Sequence, residues 1–182
     1  MAMPPMLAYT ISGTYASTNI PTISVGQGPN HAFLKPDNPV QNSYWFCILN
    51  AQNPTAKAAE IIVPGTSNHA VPAGLDQYMS NPGFIITLVT QNLSVNYLPQ
   101  GDFYNYLANH GAGRQLQRLE QLNTSLGCGV ITGVSYVLTV MGGSNYGYEQ
   151  GSETQRVRYL MSLMQGPNGP PFSLCDSYTF LT

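Results

Sequence analysis

SYWFCILN, residues 43–50, holds six apolar side chains in a row, three of them aromatic, and ends at Asn50 with Pro54 close behind. So short and apolar a run reads as a buried β-strand rather than a helix. AKAAEIIV (56–63) reads as its hairpin partner, with QNPT (52–55) as the turn and Pro64-Gly65 as the stop. Working outward, Asn81-Pro82-Gly83 breaks the chain and delivers FIITLVTQN (84–92), whose β-branched residues predict a central strand. VSYVLTVMGG (134–143) predicts another, alternating early and wholly apolar late.

Helices are expected between these strands. Asn68 to Ser80 can form a short one, with Leu75, Tyr78 and Met79 on one face and Pro72 confined to its first turn. Asp102 is placed to N-cap a second over 103–109. The clearest lies at 113–126, where Leu116, Leu119, Leu122 and Leu126 form one stripe opposite Gln and Arg, and Gly127 fits a C′ stop. Together these predict an α+β fold: a mainly antiparallel β-sandwich with two or three packed helices.

Three parts are expected. Residues 1–40, rich in Pro, Thr, Ser and Ile, read as an extended N-terminal arm with one or two strands, held by the domain or by a neighbouring subunit. Residues 41–143 form the core. Residues 144–182 complete it with a Gly/Tyr-rich loop (SNYGYEQG), a strand over 154–164, a GPNGPP turn and a last strand, SYTFLT.

Composition narrows the function. Asp, Glu, Lys and Arg number fourteen, 8% of the chain, against twenty-seven Asn and Gln; soluble domains average about 25% charged. Net charge is −2 and the six basic residues are scattered, which argues against nucleic acid and against an anionic membrane surface. MAMPPMLAYTISGTY has neither a basic n-region nor an apolar h-region, so Sec export is not expected. No run of 18 apolar residues occurs.

Catalytic patterns are weak. Glu149 and Glu153 are the nearest carboxylates outside a helix and read as solvated surface. His31, His69 and His110 share no ligand spacing and read as turn or surface residues, so a His-based metal site is not expected; nor is a cofactor. HGAGR (110–114) before the leucine helix is the better anion candidate, but it lacks a Lys and the full spacing and reads as a loop glycine pair. Cys47 reads as a buried thiol; a Cys128–Cys175 bridge is conceivable. The candidate binding residues are Asn145, Tyr146, Tyr148 and Gln150, an aromatic and amide-bearing segment suited to neutral glycans or to protein contacts.

The segments WFCILNAQNPTAKAAEIIV, LDQYMSNPGFIITLVTQN, RQLQRLEQLNTSLGC and VSYVLTVMGG, in that order, resemble the interleukin-like EMT-inducer (ILEI/PANDER) domain family over about 100 of the 182 residues. The resemblance implies a compact sandwich with helices, no catalytic centre, and a signalling, sugar-binding or attachment role. Where animal members carry acidic residues, Pro64-Gly65-Thr66 and Thr90-Gln91-Asn92 stand here, which argues against a cytokine-like activity and leaves a stem or adhesive role open. The expected function is therefore that of a non-enzymatic structural or attachment protein of a virion or similar particle, such as a phage head-decoration or tail component. Its partners would be copies of itself or other particle proteins. A carbohydrate-binding module is the alternative.

Overall fold

A computed structural model describes residues 6–12, 14, 19–27, 30–126 and 132–181. Its elements are β1 (Met6–Ser12), β2 (Thr22–Gln27), β3 (Asn30–Leu34), β4 (Ser43–Asn50), β5 (Asn53–Pro64), α1 (Asp76–Met79), β6 (Phe84–Gln91), β7 (Leu93–Ser94), α2 (Gly101–Asn109), α3 (Arg114–Leu126), β8 (Gly133–Met141), β9 (Gly147–Ser152), β10 (Val157–Gly166) and β11 (Gly169–Leu181). Among the described residues the fold is mainly antiparallel β-sheet with three α-helices. No described helix is long and apolar enough to cross a membrane.

The strands form two sheets, ordered β11-β10-β1-β2-β3 and β5-β4-β6-β8, the latter extended by β7 and β9 on β8. Side chains alternate across a strand, and β4 uses both of its faces. Trp45, Cys47 and Leu49 join Ile23 and Val25 of β2 and Val157, Tyr159, Met161 and Leu163 of β10 in a core shared by the two sheets. Tyr44, Phe46 and Ile48 face the opposite way and pack on Leu75, Met79, Phe103, Leu107, Leu116 and Leu119 from the helices. A strand buried on both faces has no polar position to spare, which is why 43–50 reads as an unbroken apolar run.

Several boundaries differ from the sequence reading. The β4–β5 turn is only Ala51-Gln52, and Asn53 to Thr55 already belong to β5. Pro54 is tolerated because β5 is an edge strand. The helix expected within 68–80 shrinks to Asp76–Met79; Pro72, and Gly74 at φ +76°, hold the preceding segment out of helix. Asp102 lies inside the first turn of α2, with Gln100 as N-cap. The segment read as an arm with one or two strands carries three, and β1 pairs with β10 along Met6 to Ser12. The supposed Gly/Tyr loop is partly strand, since β9 pairs with β8 from Gly147 to Ser152. Gly127 and Cys128, and with them the helix stop and the Cys128–Cys175 bridge, lie outside the described residues.

One charged cluster ties β5 to the segment after β3. Lys57 Nζ donates to Asp37 Oδ1 (2.6 Å), Glu60 Oε2 (2.8 Å) and the Lys35 carbonyl (3.0 Å). Trp45 Nε1 donates to the same Glu60 oxygen at 3.0 Å. The Lys57 hydrogen bond holds the Asp37 carboxyl below its ordinary value.

On the same strand as Trp45, burial pushes the Cys47 thiol from 9.0 up to about 12, with the Lys57 charge opposing and the Glu60 and Asp37 charges adding. A shift of that size leaves about a thousandfold less thiolate at neutral pH than in an ordinary cysteine. Iodoacetamide at pH 8 is therefore expected to leave Cys47 unmodified until denaturant is added, read by peptide mass mapping. Prompt labelling of the native chain would contradict this burial. Because the folded value is raised, the contribution to stability is complete below pH 9 and declines between 9 and about 12.

Candidate functional site

The site begins with how α3 is anchored. The Gly113 carbonyl accepts the first helical bond, from Gln117 N–H, which makes Gly113 the N-cap. Glycine has no side chain to satisfy the free N–H groups of the first turn, and Glu149 of β9 supplies the missing acceptors from across the chain. Its Oε1 accepts from the N–H groups of Gly113 (3.0 Å) and Gln115 (2.8 Å), and its Oε2 from Leu116 N–H at 3.3 Å. Tyr136 Oη, deep beneath the helix, donates to Oε2 at 2.7 Å. Burial first, and then the Glu149 charge, push the Tyr136 phenol far above its ordinary range, so it stays a donor.

A second tie lies one turn on. Arg118 donates to Glu153 Oε2 and to the Gly151 carbonyl, both at 2.8 Å. Burial works to raise the Glu153 carboxyl, but the Arg118 hydrogen bond, its own backbone N–H and the Arg118 charge outweigh burial and hold it low. Glu149 and Glu153 are thus structural ties rather than the solvated surface expected of them. The anion position before α3 is real, and this chain's own carboxylate fills it.

The same contacts shape a groove of about 420 Å³ along the β9 edge. One wall is the α2–α3 turn with Gly111, Gly113, Arg114 and Gln115; the other is the segment from Asn145 to Glu149, with Tyr159 as part of the floor. Gly111, at φ +97°, lies against the backbone of Tyr146 and Gly147. Tyr146 is 65% exposed, and its ring stands edge-on to Tyr148 at 5.3 Å and 84°. Tyr148 is half-buried and donates from Oη to the Cys175 carbonyl at 3.2 Å.

Of the expected binding residues, Asn145, Tyr146 and Tyr148 line this groove and Gln150 does not. Gln150 sits in β9 opposite Val137, on the face turned toward the other sheet. Arg114 and Gln115 belong to the site and were not expected. HGAGR pointed to the right turn, but nothing local indicated that β9 lies against it. His110 packs on Tyr106 with ring centres 4.3 Å apart, and the His69 carbonyl accepts from Phe103 N–H, so both serve turns. Among the described residues no three His, Cys, Asp or Glu side chains gather as metal ligands.

A second surface lies on the other sheet. The helices pack only on the β4-containing sheet; among the described residues no helix covers the outer face of the other one. That face presents Ser24, Phe33, Leu160, Ser162 and Met164, with Phe33 76% and Met164 37% exposed. Arg158 is the only Asp, Glu, Lys or Arg among the described side chains of its strands.

Comparison of the chain with protein-family models, with curated proteins and with solved structures returned no match.

Proposed function

We propose that this chain is a non-enzymatic structural or attachment protein of a virion or similar particle, a head-decoration or tail component that works through contacts with its own copies or with other particle proteins. The observation that carries the reading is the bare outer face of the β10-containing sheet. The strands of this sheet carry Arg158 and, opposite Ser162 in β11, Asp176, so burying the face removes few ions from water, and an exposed Phe33 beside small hydroxyl residues suits a packed contact. Two facing sheets, one backed by helices, support the finer reading as an ILEI-like β-sandwich.

Deleting residues 1–30 is too blunt a test, because it removes β1 and β2 from the middle of the sheet. Phe33→Asp is cleaner. Light scattering after size-exclusion chromatography should find the wild type assembling with concentration, and Phe33→Asp weakened roughly 30-fold, as for an interface hot spot. A wild type that stays monomeric at every concentration, indistinguishable from Phe33→Asp, would sink the reading.

One observation favours a carbohydrate-binding role as the second reading: the exposed Tyr146 ring over a groove edged by Asn145. Aromatic faces stack on sugar rings while amides bond to hydroxyls. Tyr146→Ala should abolish hits on a glycan array while leaving the melting temperature unchanged. Tyr148→Ala is the poorer probe, since Tyr148 also packs on the shared core. A blank array with the wild-type chain would dismiss the idea.

A further inference from the structure

An open sheet edge is a row of unpaired N–H and C=O groups ready to accept another strand, and folds blunt such edges with charge, proline, bulges or cover. Among the described residues every edge but one is blunted. β5 carries Lys57 and Glu60 with Pro54 and Pro64, and shifts register twice against β4. β11 begins with Pro170-Pro171 and shifts register twice against β10. Beyond β8, the strand β9 is tied to α3, where Arg118 donates to the Gly151 carbonyl, and β7 is only two residues long.

β3 has none of these devices. Asn30–Leu34 holds neither an Asp, Glu, Lys or Arg nor a proline, and its register with β2 is unbroken from Gln27↔Asn30 to Ile23↔Leu34. It ends its sheet, and no described strand pairs with its other side. Lys57 Nζ of β5 donates to the Lys35 carbonyl, just past the strand, but no backbone hydrogen bond joins β3 to β5. Phe33, in the middle of this edge, is 76% exposed. Five residues is an ordinary strand length, so shortness does not protect it either.

The partner that suits this edge is a second copy of it. Two strands related by a two-fold axis run antiparallel. An axis at Ala32 sets Ala32 against Ala32, His31 against Phe33 and Asn30 against Leu34. The smallest side chain of the strand then lies on the axis. To either side a His31–Phe33 pair forms between copies, adding to rings that already stand 6.2 Å apart within each copy. Aromatic cross-strand pairs favour such a ladder and like charges oppose it. Here no like charges meet, because Lys35 falls outside the paired residues and the two His31 side chains do not face each other. A partner selected by charge would find nothing on β3 to read.

We propose that β3 is an assembly edge, at which two copies join strand to strand around Ala32 so that one sheet continues into the next. The proposal rests on the reading of the chain as a self-assembling particle protein and specifies a contact beyond the open face.

Amide hydrogen exchange, followed by NMR over a concentration series, separates edge from face. Edge pairing should slow alternate β3 amides, those not already bonded to β2, about fivefold or more between roughly 20 µM and 1 mM. A chain that assembles while those amides exchange at an unchanged rate would overturn the edge and leave the assembly reading standing. A chain that stays monomeric throughout would overturn both. Charge pairs then test the register. His31→Glu with Phe33→Glu, and His31→Lys with Phe33→Lys, each set like charges opposite one another and should abolish association in light scattering. Both positions are exposed, so the melting temperature should stay near that of the wild type. An equal mixture of the two double variants should associate about tenfold more tightly than either alone. A mixture no better than its components would overturn the pairing.

Discussion

Gly111→Ala is expected to destabilise the fold by roughly 3–5 kcal/mol, combining the penalty of a left-handed alanine with backbone overpacking. At φ +97° the residue lies where side chains are strained, and a Cβ there would stand 2.2 Å from Gly147 N and 2.6 Å from the Tyr146 carbonyl carbon. Both neighbours are backbone atoms of the segment leading into β9, so no side-chain rotation relieves the overlap. Either the α2–α3 turn or the start of β9 must move, and the groove between them opens. Gly113→Ala is the control. Its Cβ would meet only the Glu149 Oε1 atom, at 3.4 Å, so the loss should stay near 1 kcal/mol, as for an N-cap alanine. Urea titration of the two variants reads the difference. Equal midpoints would show that the close approach at Gly111 is not rigid.

How much of this could be read from the chain depends on where each segment finds its partner. The strands at 43–50, 84–92 and 134–143 declare themselves because they are buried on both faces, and the leucine stripe of α3 because its period is local. The first forty residues do not. Within β2 the buried inner positions are Ile23 and Val25, interleaved with Thr22 and Ser24, so the apolar signal is two residues long. The strand that holds β1 in the sheet, β10, begins at Val157. No periodicity within 1–40 can report a partner so distant, and an arm is what an isolated, weakly apolar segment looks like.

β9 hides for a different reason. GYEQGS has no apolar alternation, and its glycines are steric requirements. A Cβ at Gly147 would meet Leu138 Cδ1 and Val140 Cγ1 at 2.8 Å and the Gly111 carbonyl at 2.9 Å. Half of the candidate site followed from composition, since Asn145 and Tyr146 stand out as aromatic and amide residues among glycines. The other half, Arg114 and Gln115, depends on the tertiary meeting of α3 with β9. The fourteen charges follow the same logic. Asp37, Lys57 and Glu60 close one edge, while Arg118, Glu149 and Glu153 pin α3 to β9. With at least six of the fourteen engaged in ties, the exterior is even poorer in free ions than the composition suggests.

That economy makes Glu149 the most consequential carboxylate in the chain. Glu149→Ala strips three N–H groups at the start of α3 and the Tyr136 hydroxyl of their acceptor. A hydrogen bond to a charged group is worth about 1.5–3 kcal/mol, and the helix-dipole interaction of a partly buried carboxylate up to about 2. These contributions overlap, and water can reach Gly113, so the expected loss is about 2–4 kcal/mol. Glu149→Gln should lose less, because its Oε1 keeps the bonds from Gly113 and Gln115 and its amide can donate to the Tyr136 hydroxyl, so that the charge and the Leu116 bond are what is lost. The Tyr136 bond can be isolated by a double-mutant cycle with Tyr136→Phe. In the wild-type background removing that hydroxyl costs the bond; beside Glu149→Ala it removes an already unpaired buried donor and should be neutral or stabilising. A coupling of about 1–3 kcal/mol is therefore expected from urea midpoints. Additive single and double variants, or an Ala variant within about 0.5 kcal/mol of the wild type, would mean that the leucine face alone holds α3 in place. In that case the wall of the Tyr146 groove would not depend on this carboxylate.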